Sequence, residues 1–332
     1  MHHFKLLFIA LFVFGSVLVS VAQNVDENYE VATWRGFSEV AVTYTFDDNC
    51  TNQYEVVMPI LDEYGFRATF YPVIDWGPDW QKFQLAVNSG HEIGSHTVTH
   101  RNLSELSDAG QEKELAGSKK IIETEIEGQQ CLTFAYPFCI PSEPDITREN
   151  YIAARHCQGA IEKPTPDDFY NISSIMCGPQ GKVYTAKHFE DKLAEAVKSN
   201  GWCVWLFHGI EDDGGYSPVS AKDFRESLEY LDENRSRFWT ATFVDVVRYI
   251  KQRDCVNITE KKRTRKKIVV EVSDTLDNQV YNMPLTIRCK LPDNWKSATI
   301  KQGGDVIPGK IVAPNVLEFE AKPDNGVVTI KK

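Results

Sequence analysis

The stretch Val40-Ala41-Val42-Thr43-Tyr44-Thr45-Phe46-Asp47-Asp48 decides the fold, because a run of β-branched and aromatic residues stops at two adjacent carboxylates. A short run of that composition reads as a strand. The same event recurs along the chain. His96 and His100 follow Glu92–Ser95, Phe138 follows Leu132–Tyr136, and His208 follows Cys203–Phe207, while Ala68–Val73 supplies a fifth strand candidate. Between them lie helical stretches at Ser104–Glu127, Ala186–Ser199, Ala221–Asn234 and Phe243–Gln252. In the first of these, Leu106, Leu115, Ile121 and Ile122 form an intermittent apolar face. Alternation of this kind from Phe37 to about Arg253 predicts an α/β fold, either a parallel-stranded barrel or a doubly wound sheet. Ligands of such folds bind where the carboxyl ends of the strands converge. Polar clusters far apart in sequence are therefore expected to meet.

Two imidazoles and one carboxylate make an open metal site with room for water, suited to Zn²⁺, Co²⁺, Ni²⁺ or Fe²⁺, with zinc the default. His-x-x-x-His spacing alone is weak evidence, and two aspartates at a strand end often only cap a turn. Their joint placement after strands is what points to a site. Adjacent Asp47 and Asp48 need separate tasks, since neighbours on a strand point to opposite sides unless the backbone turns.

Thr45-Phe46-Asp47-Asp48, His96-Thr97-Val98-Thr99-His100, Ala135-Tyr136-Pro137-Phe138 and Leu206-Phe207-His208 resemble, in order and spacing, the motifs of the polysaccharide deacetylase family, the NodB-homology or carbohydrate esterase 4 enzymes. The resemblance spans about Ala32 to Gln252. It implies a distorted (β/α) barrel and hydrolysis of acetyl groups from an acetylated glycan. By the same resemblance, Asp48, His96 and His100 hold a divalent metal, Asp47 is the general base and His208 the acid. The Phe138 N–H helps bind the oxyanion, Leu206 lines the pocket for the acetyl methyl, and Tyr136 belongs to the substrate-binding set. Two positions depart from the family pattern. Ala135 stands where many members carry the arginine that holds the base, and Cys139 stands where glycine is frequent. Arg155 is one candidate to replace that arginine, although an exposed helical position is the reading favoured for it.

The first 22 residues, with Lys5 ahead of the apolar run Leu6–Val21, read as a signal peptide cleaved before Gln23, so a secreted, periplasmic or extracellular protein is expected. An uncleaved anchor is the competing reading. All eight cysteines lie beyond that segment, in a setting that permits disulfides, and spacing assigns no pairing. Residues 23–258 carry 21 basic and 38 acidic side chains, a net −17, which disfavours nucleic acid as a partner. Residues 259–267 carry +5 and read as a solvated basic linker, with binding of an anionic glycan or lipid as the alternative. Alternation at Ile268–Val272, Leu285–Cys289 and Val327–Ile330 predicts a small β-rich domain over residues 268–332.

The best-supported function at this level is removal of N-acetyl groups from an N-acetylglucosamine-containing polymer, chitin-like or peptidoglycan-like. A xylan-type O-acetyl esterase would use the same residues, and a non-catalytic glycan-binding protein is a third reading. Trp76 and Trp80 are the preferred sugar-stacking aromatics, ahead of Trp202, Trp205 and Tyr216.

Overall fold

Strands and helices alternate where the hydrophobic pattern places them. The computed structural model describes residues 23–293 and 295–332, so the signal-peptide segment lies outside the described residues. Two short strands, β1 (Asn24–Val25) and β2 (Tyr29–Val31), come first. The α/β unit then runs β3 (Val40–Asp47), α1 (Met58–Tyr64), β4 (Thr69–Tyr71), α2 (Trp80–Asn88), β5 (Glu92–Ile93), α3 (Asp108–Glu125), β6 (Thr133–Ala135), α4 (Pro144–Asn150) and β7 (Ala153–His156). It continues with β8 (Ile172–Ser173), β9 (Ile175–Met176), α5 (Ala186–Ser199), β10 (Trp202–Phe207), α6 (Ala221–Glu233), β11 (Phe238–Thr240) and α7 (Phe243–Cys255).

All pairings within this unit's sheets are parallel, and they run nearly full circle. β3 pairs with β10 along one edge, from Ala41↔Trp202 to Phe46↔Phe207. Its other edge is shared, with β11 against Val40–Val42 and β4 against Thr45–Asp47. From β4 the order passes to β5, across a Ser95↔Phe134 bridge to β6, and on through β7 to β8. Only Ser174 separates β8 from β9, and β9 pairs back onto β10, which closes the circuit as a distorted barrel. Every residue of β3 is buried, as expected for a parallel strand covered on both faces. Phe46 stacks between Phe70 and Phe207, with ring centroids 5.2 and 5.1 Å away.

Hydroxyl caps set the helix starts. Ser107, Thr185, Ser220 and Thr242 each accept a bond from the backbone N–H three residues on, an arrangement typically worth about 1 kcal/mol. The first long helix accordingly starts at Asp108, behind its Ser107 cap, and Leu103–Glu105 form a separate 3₁₀ turn.

The remainder is antiparallel apart from the parallel β1–β12 pair: β12 (Asn257–Arg263), β13 (Lys267–Ser273), β14 (Leu285–Lys290), β15 (Thr299–Gln302), β16 (Asp305–Ile307), β17 (Gly309–Ala313), β18 (Val316–Ala321) and β19 (Val328–Lys331). These strands form two sheets, ordered β1-β12-β13-β19-β15-β16 and β17-β18-β14-β2. Two sequence expectations need correction here. The basic run is a β-hairpin rather than a linker, since β12 and β13 pair from Asn257↔Ser273 to Arg263↔Ile268. Two of its charges are accommodated locally, Arg263 by Glu260 at 2.6 Å and Lys261 by Glu271 at 2.7 Å. The β region also draws on the other end of the chain, because β1 pairs with β12 and β2 with β14.

Candidate active site

The carboxyl ends of β3, β5, β6, β7 and β10 surround a cavity of about 470 Å³. It is lined by Asp47, Asp48, His96, His100, Tyr136, Phe138, Leu206 and His208, together with Arg155, Met176, Tyr216 and the Cys139–Cys157 pair. All eight site residues expected from sequence therefore share one cavity.

Asp47 ends β3, and the backbone turns immediately after it, with φ +73° at Asp48 and +40° at Asn49. That turn lets two consecutive carboxylates face the same space. Thr97, His100, Phe138 and Cys139 also have positive φ without being glycine. Each such residue costs about 1–3 kcal/mol and needs surrounding structure to hold it. Glu114 of α3 supplies this for the histidine loop by accepting from the Val98 and Thr99 N–H groups at 2.9 and 2.8 Å. For Phe138 and Cys139, the Cys139–Cys157 disulfide ties the loop to the end of β7.

Asp48, His96 and His100 each offer a ligand atom, all within 4.8 Å of one another. His96 and His100 place Nε2 3.6 and 3.7 Å from Asp48 Oδ1, a buried oxygen with no hydrogen-bond partner among the described residues. An orphaned carboxylate oxygen facing two imidazole nitrogens fits a divalent cation. His96 Nδ1 lies 2.7 Å from the Ala135 carbonyl, which as its acceptor leaves Nε2 unprotonated toward the cluster. Burial pushes His96 down to about 3 despite the opposing Asp47 charge, and it lowers His100 as well. Burial thus favours the neutral imidazole at both positions, the form that ligates metals. Burial and then the Asp47 charge push the Asp48 carboxyl up to about 7.

Asp47 behaves in the opposite way. Burial acts to raise its pKa, but Arg155, then His96 and His208, outweigh this and hold it below the usual carboxylate range. The buried Arg155 guanidinium pairs directly with Asp47 Oδ1 and stacks over the Tyr71 ring at 4.9 Å. A Cβ at Gly94 would lie 2.3 Å from that ring, so the glycine makes room for the platform. The exposed helical position favoured for Arg155 is therefore incorrect: it lies on β7, directly across the sheet from Ala135. The cation missing from the third motif is supplied by its register partner on the neighbouring strand. The signal was faint, because Ala153-Ala154, the residues just before it, are small and have the highest helix propensity.

His208 stands on the far side of Asp48, with Nε2 3.9 Å from Oδ2. Burial lowers its pKa while Asp47 opposes the shift, so its protonated form depends on the neighbouring carboxylate. Gln53, which sequence reasoning missed, donates through Nε2 to the His208 carbonyl at 3.1 Å and also to that of Asp47. Three aromatic rings edge the cavity. Trp76 and Phe138 lie 4.9 and 4.6 Å from His100, and Tyr216 lies 5.2 Å from His208; all three are exposed. Trp202 and Trp205 are fully buried core residues and Trp80 packs on Phe83, so Trp76 and Tyr216 are the expected aromatics that reach this surface.

Residues 35–149 match the sequence profile of the family described as polysaccharide deacetylase. Over this stretch, about a third of its length, the chain is of the polysaccharide deacetylase type. A Bacillus subtilis (strain 168) protein, YxkH, named as a polysaccharide deacetylase, is 33% identical over 105 residues, 30% of this chain and 37% of that protein. A gellan lyase from a Bacillus species is 31% identical over 332 aligned positions, 91% of this chain and 13% of the relative. The chain thus spans well under half the length of either curated relative. A solved Mycobacterium smegmatis structure, described as a polysaccharide deacetylase, shares the fold with TM-score 0.52 at 14% identity, covering 70% of this chain and 98% of that one.

Proposed function

We propose that this chain is a metal-dependent hydrolase that removes acetyl groups from a glycan, most specifically N-acetyl groups of an N-acetylglucosamine-containing polymer. The observation that carries this reading is the Asp48–His96–His100 cluster flanked by the ionised Asp47 on one side and His208 on the other. When bound, a divalent ion, by default zinc, supplies Lewis acidity that acidifies water and polarises the acyl oxygen. Asp47 takes the proton from the attacking water, and Arg155 keeps that carboxylate charged and oriented. The Phe138 N–H donates to the developing oxyanion, a contact worth several kcal/mol in a dry site. His208 returns a proton to the leaving nitrogen. Leu206, 3% exposed at the end of β10, sets the apolar wall for the acetyl methyl, with Tyr136 beside Phe138 on the opposite strand end.

A dedicated acid opposite the base supports amide over ester cleavage, because an alkoxide leaves with less help than an amide nitrogen. Acetate release from N-acetylated chito-oligosaccharides and peptidoglycan fragments, set against acetylated xylan, tests this preference. Faster release from xylan would replace the amidase reading with the esterase one. We further propose that the mature protein is exported, on the strength of the apolar N-terminal segment.

A further inference from the structure

The larger sheet of the β region has two unlike faces. Ile268, Val270, Val272, Ile300, Val328 and Ile330 point inward and are buried. The outward face carries two rows read directly from the register. Lys262, Val269, Thr329 and Lys301 lie side by side on β12, β13, β19 and β15, and beside them run Lys267, Lys331 and Thr299. Lys267 and Lys331 are direct cross-strand partners, an arrangement of like charges that weakens a sheet. Among the described residues, none of Lys262, Lys267, Lys301 and Lys331 comes within 4.0 Å of a carboxylate, and Glu271 on the same face is engaged by Lys261. Lys267, Lys301 and Lys331 surround a groove of about 480 Å³ that Thr299 and Thr329 also line. This concentration of uncompensated positive charge sits on a chain of net charge −11.

We propose that this face is a binding site for an acidic polysaccharide, a glycan bearing carboxylates. The proposal rests on the glycan-hydrolase reading above and extends it to how the polymer is held. Lysines spread over four strands span roughly 14 Å at the usual inter-strand spacing of about 4.8 Å, which matches an extended polyanion better than a single small anion. Threonine hydroxyls between them offer partners for sugar hydroxyls. The apolar side chains at this face are valines, Val269 within the row and the exposed Val306 and Val327 at its edge, and they are interleaved with lysines instead of forming the aromatic or leucine-rich face that seats a peripheral protein in a bilayer. Charge repulsion from the acidic barrel is screened beyond about 8 Å at physiological salt, so the local field governs docking.

The test is binding of the full chain to polygalacturonate, with neutral xylan, phosphatidylserine-containing vesicles and single-stranded DNA as the other arms, at low and high salt. Binding to polygalacturonate that weakens with salt and falls about tenfold or more in the Lys267→Glu, Lys301→Glu, Lys331→Glu variant is the expected result. A Lys→Gln version of the same triple variant should lose an intermediate amount. Acetate release from a short soluble oligosaccharide should stay as in the parent, which also reports that the variant is folded. Equal binding by parent and both variants would overturn the proposal, as would tighter binding to vesicles or DNA than to polygalacturonate. Because binding is read without turnover, a chain that binds polygalacturonate yet releases no acetate would refute the hydrolase reading and leave this site standing.

Discussion

The barrel mouth and the outer sheet face both concentrate charge, but they treat it in opposite ways. At the mouth, Asp47 and Arg155 are almost completely buried and each is the other's partner. On the sheet, lysines face one another across strands, open to solvent and without carboxylates. Burying an ion is expensive, so buried charges persist only where neighbours compensate them. Solvent stabilises exposed charges cheaply, and their pattern says nothing about internal support. The first kind of charge therefore reports on chemistry inside the molecule, and the second on whatever meets it from outside.

The sharpest way to break this contrast is to neutralise the buried acid. Asp47→Asn should lower acetate release by about 10²–10⁴-fold, the usual contribution of general acid–base catalysis, while the protein still binds one divalent ion per chain. Turnover near the parent level would show that the buried carboxylate is only structural. Next in size is Arg155→Met, expected to destabilise folding by about 3–5 kcal/mol, because it leaves Asp47 buried and unpaired. Combining it with Asp47→Asn should restore part of that loss in a denaturant-melting cycle, and strict additivity would mean that the pair is not coupled.

The smallest effect concerns Glu92, buried between strands and accepting bonds from Thr69 Oγ1 and the Val244 N–H. Burial pushes its carboxyl up from 4.5 to about 7. Its folded form therefore holds a proton more tightly than the unfolded chain does. Its contribution to stability is complete below about 4.5 and is lost as pH rises through about 7. Across that window the parent should lose on the order of 3 kcal/mol that Glu92→Gln does not. Parallel stability profiles for the two proteins would contradict the assignment.

How much was legible in the sequence follows the same division. The strand-end clusters at Asp47-Asp48, His96, Phe138 and His208 were readable because each interrupts a hydrophobic run at the point where a parallel strand must end. Arg155 was not, since the only thing that identifies it is the register of β7 against β6, a long-range pairing with no local trace. Glu114 and Gln53 were missed for a related reason. Their work is done by bonds to backbone groups of other elements, and nothing in residue type or spacing announces such bonds. In the β region, the strand cores at Ile268–Val272 and Leu285–Cys289 showed their alternation. The basic hairpin hid its own, because lysine and arginine occupy strand positions where the aliphatic stem lies along the sheet and only the head is charged.

The central claim is that Asp48, His96 and His100 hold a divalent ion that the hydrolysis of acetyl groups requires. The most direct measurement is elemental analysis of the purified chain, paired with acetate release from an N-acetylated chito-oligosaccharide before chelation, after it, and after zinc or cobalt is returned. One equivalent of metal, activity lost on chelation and regained on reloading, and both absent in His96→Ala are the predicted results. Acetate release that survives complete removal of metal, or a His96→Ala protein that keeps both metal and turnover, would contradict the account.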